Sequence, residues 1–187
     1  MSGTAKIAVI VLAAGQSRRF GARDKLLSHY SGKPLASHVA ASLQGVPFAF
    51  GVVVARNPSV AGLFTKTRLR SLFPKSTSTQ SQTLKAGLQY VKKRGASHAL
   101  LVLGDMPNIT HKHLKKIITK AGVHPVISYD QVYSLPPALI PRQLFGKLQN
   151  LRGDMGAGKI LMKHPSIIRI KLDRDQAMDI DYSLKNK

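Results

Sequence analysis

The chain has no cysteine, no tryptophan and no glutamate. Without cysteine there are no disulfides, no thiolate nucleophile and no cysteine-ligated zinc. Without glutamate, HExxH zinc chemistry and paired-glutamate acid–base chemistry are excluded. Aromatic residues make up only 6%, and no RRM, KH or helix-turn-helix signature is present, which disfavours a nucleic-acid partner. The apolar run near the start, residues 7–14, is far shorter than the roughly 20 residues that cross a bilayer. It is rich in β-branched residues and runs into a polar turn, so it reads as a buried strand and not as a signal segment. No membrane association is expected. The missing cysteines suit a reducing compartment, and a cytoplasmic location is the expectation.

The 187 residues fit one domain, 1–187, with 43% hydrophobic and 20% charged residues. Lys and Arg number 29 against 8 acids, a formal charge of +21. Such a field favours an anionic partner: nucleic acid, nucleotide, phosphorylated metabolite or acidic surface. Lysines that only solvate helix faces are the plainer alternative. All eight acids are Asp: Asp24, Asp105, Asp130, Asp154, Asp173, Asp175, Asp179 and Asp181. Scarcity makes each a better candidate for a specific role than an average surface acid.

Residues 7–12 form a continuous apolar run, the pattern of a parallel strand buried on both faces. A loop over 13–33 follows. Pro34 opens a helix in which Leu35, Val39, Ala40 and Leu43 recur at helical spacing. Further strands are expected at 49–55, His98–Leu103, 125–129, 138–140 and 167–172. Helices are expected over 82–94, after Thr110 as N-cap, and over 141–148 and 155–162. Leu114, Ile117, Ile118 and Ala121 make one stripe, with Lys112, Lys115, Lys116 and Lys120 opposite as a solvated face. Alternating strands and helices predict an α/β fold with a mainly parallel sheet.

Three segments carry chemistry. In Leu12-Ala13-Ala14-Gly15-Gln16-Ser17-Arg18-Arg19-Phe20-Gly21, followed by Asp24-Lys25, a strand enters a small, basic loop. Glycines let backbone N–H groups approach phosphates, and Arg and Lys neutralise them. An ordinary strand–helix turn with surface arginines has the same outline. In Leu101-Val102-Leu103-Gly104-Asp105-Met106-Pro107 an Asp follows a buried strand, where α/β sheets bind ligands. A hard carboxylate there suits Mg²⁺ on phosphates; a turn-forming Asp before proline is the alternative. Asp179 and Asp181 would share a side if extended and so form a second carboxylate pair, or else a polar turn. Residues 153–159 fit the spacing GxxxxGK, but Ile160 replaces the Ser or Thr that a phosphate loop needs. The scattered histidines are given no metal role.

Taken in order, these segments resemble the MobA-like nucleotidyltransferases. The run LAAGQSRRFG…DKLL looks like the family's opening signature. TSTQSQTLKAGL, LVLGDMPNIT, PALIPRQLF, LRGDMGAGKIL and DIDYSLK resemble its later segments. Within the family the chain looks closest to the branch containing molybdenum cofactor cytidylyltransferase. The resemblance implies a three-layer α/β/α Rossmann-like fold and Mg²⁺-dependent transfer of a nucleoside monophosphate from a nucleoside triphosphate to a molybdopterin-type acceptor. CTP is favoured over GTP, because Ala13-Ala14-Gly15 stands where the guanylyl branch more often has a second glycine. A molybdoenzyme or chaperone is the implied protein partner.

By the same resemblance, Ala13, Ala14, Gly15, Ser17, Arg19, Lys25 and Ser81 would bind the nucleotide. Arg19 and Lys25 would carry catalysis, Lys25 as a loop lysine contributing little to the core. Asp105, Asp179 and Asp181 would hold the metal, and Asp154 would sit on the acceptor side. The chain departs from the family at Leu135-Pro136-Pro137, at Tyr182-Ser183-Leu184-Lys185 and at Gln80 and Gln82. A basic nucleic-acid-binding or nucleotide-binding protein without catalysis is the rival reading.

Overall fold

A computed structural model describes residues 5–15, 24–75, 78–173 and 175–177. In chain order the strands are β1 Ile7–Ala13, β2 His29–Tyr30, β3 Lys33–Pro34, β4 Phe50–Ala55, β5 Leu69–Leu72, β6 His98–Leu103, β7 Val126–Tyr129, β8 Ser134–Pro141 and β9 Ile168–Lys171. The helices are α1 Leu35–Ser42, α2 Pro58–Gly62, α3 Gln80–Lys93, α4 His111–Ile118, α5 Phe145–Gln149 and α6 Gly158–Leu161. Seven strands join one sheet in the order β5-β4-β1-β6-β8-β7-β9. Strands β5, β4, β1 and β6 are parallel, and β8 runs antiparallel to both its neighbours. The short connection from β7 to β8 forces that reversal, since only antiparallel neighbours can be joined by a tight turn. Asp130 builds the turn: its carboxylate accepts from the N–H groups of Val132 and Tyr133 at 3.2 and 2.8 Å.

Apolar side chains cover both faces of the sheet. Along β1, Val9, Val11 and Ala13 join one core with Leu35, Val39, Val60, Leu114 and Ile117. Ala8 and Ile10 join the other, with Leu84, Leu88, Phe145 and Leu161. Thus α1, α2 and α4 lie on one side and α3, α5 and α6 on the other, the expected three layers. At Gly87 an added Cβ would meet Ile10 Cγ2 at 2.6 Å. Only a missing side chain lets α3 approach β1 so closely. The lysines at 112, 115, 116 and 120 are exposed, as a solvated face requires.

Some elements differ from the sequence reading. Strand β8 is longer than 138–140 because Pro136 and Pro137 fall at the register shift in its pairing with β7, where a proline costs no ladder hydrogen bond. The helix expected over 141–148 is a 3-10 turn, Arg142–Leu144, running into α5. The helix expected over 155–162 shrinks to the single turn α6. Strands β2 and β3 close over Ser31 and Gly32, both at positive φ, a turn chemistry that favours tight hairpins. Strand β5 lies at the sheet edge, where a weak apolar pattern with an exposed Arg70 suffices.

His113 ties the layers together. Ser128 Oγ donates to Pro137 O at 2.8 Å and so accepts from His113 Nε2 at 2.9 Å, which places a ring proton on Nε2. Burial, and then the Lys116 charge, push the His113 pKa down from 6.5 to about 4, against a smaller upward pull from Asp173. The folded state therefore refuses a proton that the unfolded chain accepts. The contribution of His113 to stability is complete above pH 6.5 and is lost as the pH falls toward 4. Between pH 7 and 4.5 the expected loss from this group is about 2 kcal/mol. Urea unfolding of the wild type and of His113→Gln at both pH values measures it as the difference between their pH dependences. Equal dependences would show that His113 is not the titrating group.

Candidate active site

The parallel strands β4, β1 and β6 stand side by side, with Ala13 opposite Ala55 and Leu12 opposite Leu103. Their carboxyl ends open on the same edge of the sheet. From β1 the chain moves outward through β4 and β5, then returns to β6 on the other side of β1. That reversal creates the crevice in which open α/β sheets bind ligands. Here it is a cleft of about 390 Å³ whose walls include Ala14, Gly15, Arg56, Ser78, Gln80, Thr83, Asp105 and Asp154.

Asp105 follows β6 through Gly104, whose N–H donates to Leu12 O at 2.9 Å. A Cβ at Gly104 would lie 3.2 Å from that of Ala13, so glycine keeps the end of β6 tight against β1. Lys25 arrives from a 3-10 turn, Lys25–Leu27, capped by Asp24. The same Asp24 accepts from Asn57 Nδ2 at 3.2 Å, anchoring the turn beside the end of β4. Lys25 Nζ then donates to Asp105 Oδ2 at 3.0 Å. The lysine is only 7% exposed, so it is not the lightly packed loop residue expected from sequence; the ion pair is part of the wall.

The opposite wall is the start of α3. Thr79 caps this 14-residue helix, and Gln82 reaches back to the Thr79 N–H at 2.7 Å. Asp154 Oδ1 accepts from Gln80 N at 3.5 Å, a placement suited to the positive end of the helix dipole. Ser81 holds the loop that carries Asp154, through Ser81 N to Gly153 O at 3.2 Å.

The structure thus brings Ala14, Gly15, Lys25, Asp105 and Asp154 together around one cleft. Ala13 and Ser81 pack behind it: Ala13 belongs to the opposite core, and Ser81 is fully buried against Thr79 Oγ1 at 3.1 Å. Ser17, Arg19, Asp179 and Asp181 lie outside the described residues. Just before the last two, Asn108 Nδ2 donates to Asp175 O at 3.0 Å and Gln176 Nε2 to Thr110 Oγ1 at 3.2 Å. The late chain is therefore tied to the loop that follows Asp105. Residues 153–159 follow α5 and no strand, which fits their exclusion as a phosphate loop.

The sequence reading missed Arg56, Ser78 and Thr83. Arg56 had a usable signal: it directly follows a buried apolar strand, as Asp105 nearly does. Among the described residues no three His, Cys, Asp or Glu side chains cluster as a metal cage. One or two cleft carboxylates fit a hard cation whose remaining ligands are phosphate oxygens and water. Among the described residues no helix is long and apolar enough to cross a membrane.

A mainly parallel sheet with this cleft over three strand ends is the architecture of an α/β nucleotidyltransferase. The chain belongs to the MobA-like NTP transferase family, whose domain model matches residues 9–167. Purine catabolism protein PucB of Bacillus subtilis is 24% identical over 162 residues, 81% of this chain and 78% of that protein. A stretch of 42 residues is 43% identical to the 2-C-methyl-D-erythritol 4-phosphate cytidylyltransferase of Dehalococcoides mccartyi, covering 22% of this chain and only 18% of that enzyme. The crystal structure of Rv0371c from Mycobacterium tuberculosis superposes with a TM-score of 0.81 at 22% identity, over 96% of this chain and 94% of that one. A manganese complex of Rv0371c superposes at 0.75, with 21% identity over 90% and 89% of the two chains.

Proposed function

We propose that the whole chain, 1–187, acts as one cytoplasmic transferase domain. It moves a nucleoside monophosphate, CMP in preference, from a nucleoside triphosphate to a molybdopterin-type phosphorylated acceptor and releases pyrophosphate. The observation that carries this reading is the Lys25–Asp105 pair, 3.0 Å apart at the cleft that Gly15 also lines. An acceptor phosphate oxygen attacks the α-phosphorus in line, and the bond to pyrophosphate breaks. That oxygen is already ionised at neutral pH, so the residues position and stabilise charge without a general base. The Lys25 ammonium offsets charge growing on the α-phosphate and the leaving group, with Arg19 as its companion. Gly15 and Ser17 offer close donors to the triphosphate, and Asp154 faces the acceptor. Asp105, with Asp179 and Asp181 as further ligands, would hold Mg²⁺, which supplies Lewis-acid polarisation of the phosphates. A molybdoenzyme or its chaperone would receive the product.

Two features support CTP over GTP: the Ala14 methyl group on the cleft wall, and the short likeness to a cytidylyltransferase. A methyl group discriminates by only about 1–3 kcal/mol. Pyrophosphate release is therefore to be measured with CTP, GTP and ATP, each with Mg²⁺ and molybdopterin. Fastest release with CTP is expected. A clear GTP preference overturns the choice of base, and no release with any nucleotide overturns the reaction.

A further inference from the structure

Arg56 stands in the cleft with its hydrogen-bonding incomplete. Nη2 donates to Ser78 O at 2.7 Å, while Nε is buried without a partner. No carboxylate pairs with this guanidinium among the described residues, in contrast to Lys25. A buried N–H without an acceptor is costly, and an incoming acceptor atom that draws the guanidinium into a new arrangement relieves that cost.

The topology says which part of a nucleotide lies here. Lys25 and Asp105 mark the end of β6, and Arg56 follows β4, two strands away across β1. Neighbouring strands are about 4.8 Å apart, so these two ends of the cleft are separated by roughly 10 Å. A triphosphate held by Lys25 therefore leaves its ribose and base toward Arg56. The groups around Arg56 suit a base edge better than a phosphate. The Ser78 carbonyl that Arg56 Nη2 meets disfavours an anion at this point, whereas the Gln80 amide offers a donor and an acceptor, and Thr83 Oγ1, which donates to Gln80 O at 2.8 Å, offers an acceptor. Ala14 adds an apolar wall.

We propose that Arg56 reads the nucleobase and selects bases that carry a ring carbonyl oxygen, as cytosine, uracil and guanine do, over adenine. A guanidinium donates hydrogen bonds and accepts none. Adenine offers it only ring nitrogens, and the amino group beside N1 and N7 donates, as the guanidinium itself does. This inference rests on the nucleotide cleft proposed above, and its test separates the two.

The full chain, wild type and variants, is titrated calorimetrically with CTP, GTP, ATP and inorganic tripolyphosphate. The wild type is expected to bind CTP and GTP about 10- to 100-fold more tightly than ATP, the worth of one charge-assisted hydrogen bond. Arg56→Met is expected to bring ATP within about threefold of GTP, with tripolyphosphate affinity unchanged and the CTP-over-GTP gap that Ala14 creates retained. Arg56→Lys keeps the cation and the stem but loses the planar fork, and its preference is expected to fall between the two. A preference for CTP and GTP over ATP that survives in Arg56→Met overturns the inference. Parallel weakening of tripolyphosphate and CTP also overturns it, and would place Arg56 on the phosphates. A wild-type chain that binds neither tripolyphosphate nor any nucleotide overturns the nucleotide cleft itself.

Discussion

Replacing Lys25 with alanine is expected to lower turnover on the order of 100-fold, the usual effect of losing one preorganised charge-stabilising donor. The structure adds a second consequence. Lys25 is buried and neutralises Asp105, whose side chain is 26% exposed. Without the ammonium that carboxylate stands uncompensated in the cleft wall. Truncating one partner of a fully buried pair costs about 3–5 kcal/mol, and partial solvation of Asp105 brings the expected stability loss nearer 1–2 kcal/mol. Pyrophosphate release and urea unfolding, measured on the same sample, separate the two effects. Lys25→Arg keeps the charge and should recover most of the stability but less of the rate, because a planar guanidinium does not place its charge where an ammonium does. Near-normal turnover in a folded Lys25→Ala protein would remove Lys25 from the mechanism.

Asp105→Asn is expected to have the larger effect, on the order of 1,000-fold on divalent-dependent turnover. The amide has the carboxylate's shape and can still accept a hydrogen bond from Lys25, so the cleft should keep its form. What disappears is the negative charge that a hard cation requires. Calorimetric titration with Mn²⁺ in the presence of CTP should show tight binding in the wild type and little in the variant. Activity that persists in Asp105→Asn with unchanged Mn²⁺ affinity would place the metal on other residues. Asp181→Asn is the companion experiment: it reproduces the loss if the closing pair ligates, and spares activity if those residues only turn the chain.

Much of this was legible in the sequence because burial on both faces leaves a plain mark. The apolar runs at 7–12 and 98–103 read as central strands, and an Asp after the second of them, at a strand end that opens on a cleft, followed from the geometry of parallel sheets. Thr110 announced its helix through a side chain that accepts the His113 N–H at 3.2 Å. The parts that stayed hidden depend on contacts between distant segments. Nothing local marks Leu69–Leu72 as an edge strand, since its pairing with β4 supplies the reason. Nothing local reveals that Lys25 is buried, because Asp105 lies 80 residues away. Ser81 was expected to bind the nucleotide because TSTQSQTLKAGL resembles the family's corresponding segment. Its hydroxyl turns inward, and Gln80 and Thr83 line the cleft in its place. Helical geometry separates neighbours by about 100° around the axis, so adjacent residues in one polar run have different fates.

The alternation along β1 sets a rule of parity for the cleft. Odd-numbered residues from Val9 to Ala13 face one helical layer, and even-numbered ones from Ala8 to Ala14 face the other. Which alanine lines the cleft is therefore decided inside the sheet, by whether a residue count is odd or even, and not by the sequence that follows Gly15. The sequence after Gly15 can drift in length and charge while the Ala14 wall of the cleft stays as it is. A single residue inserted within the strand would instead exchange the two alanines and, with them, both cores. On the proposed function, phosphate binding and the choice of base would then depend on separate parts of one short segment, free to evolve at different rates.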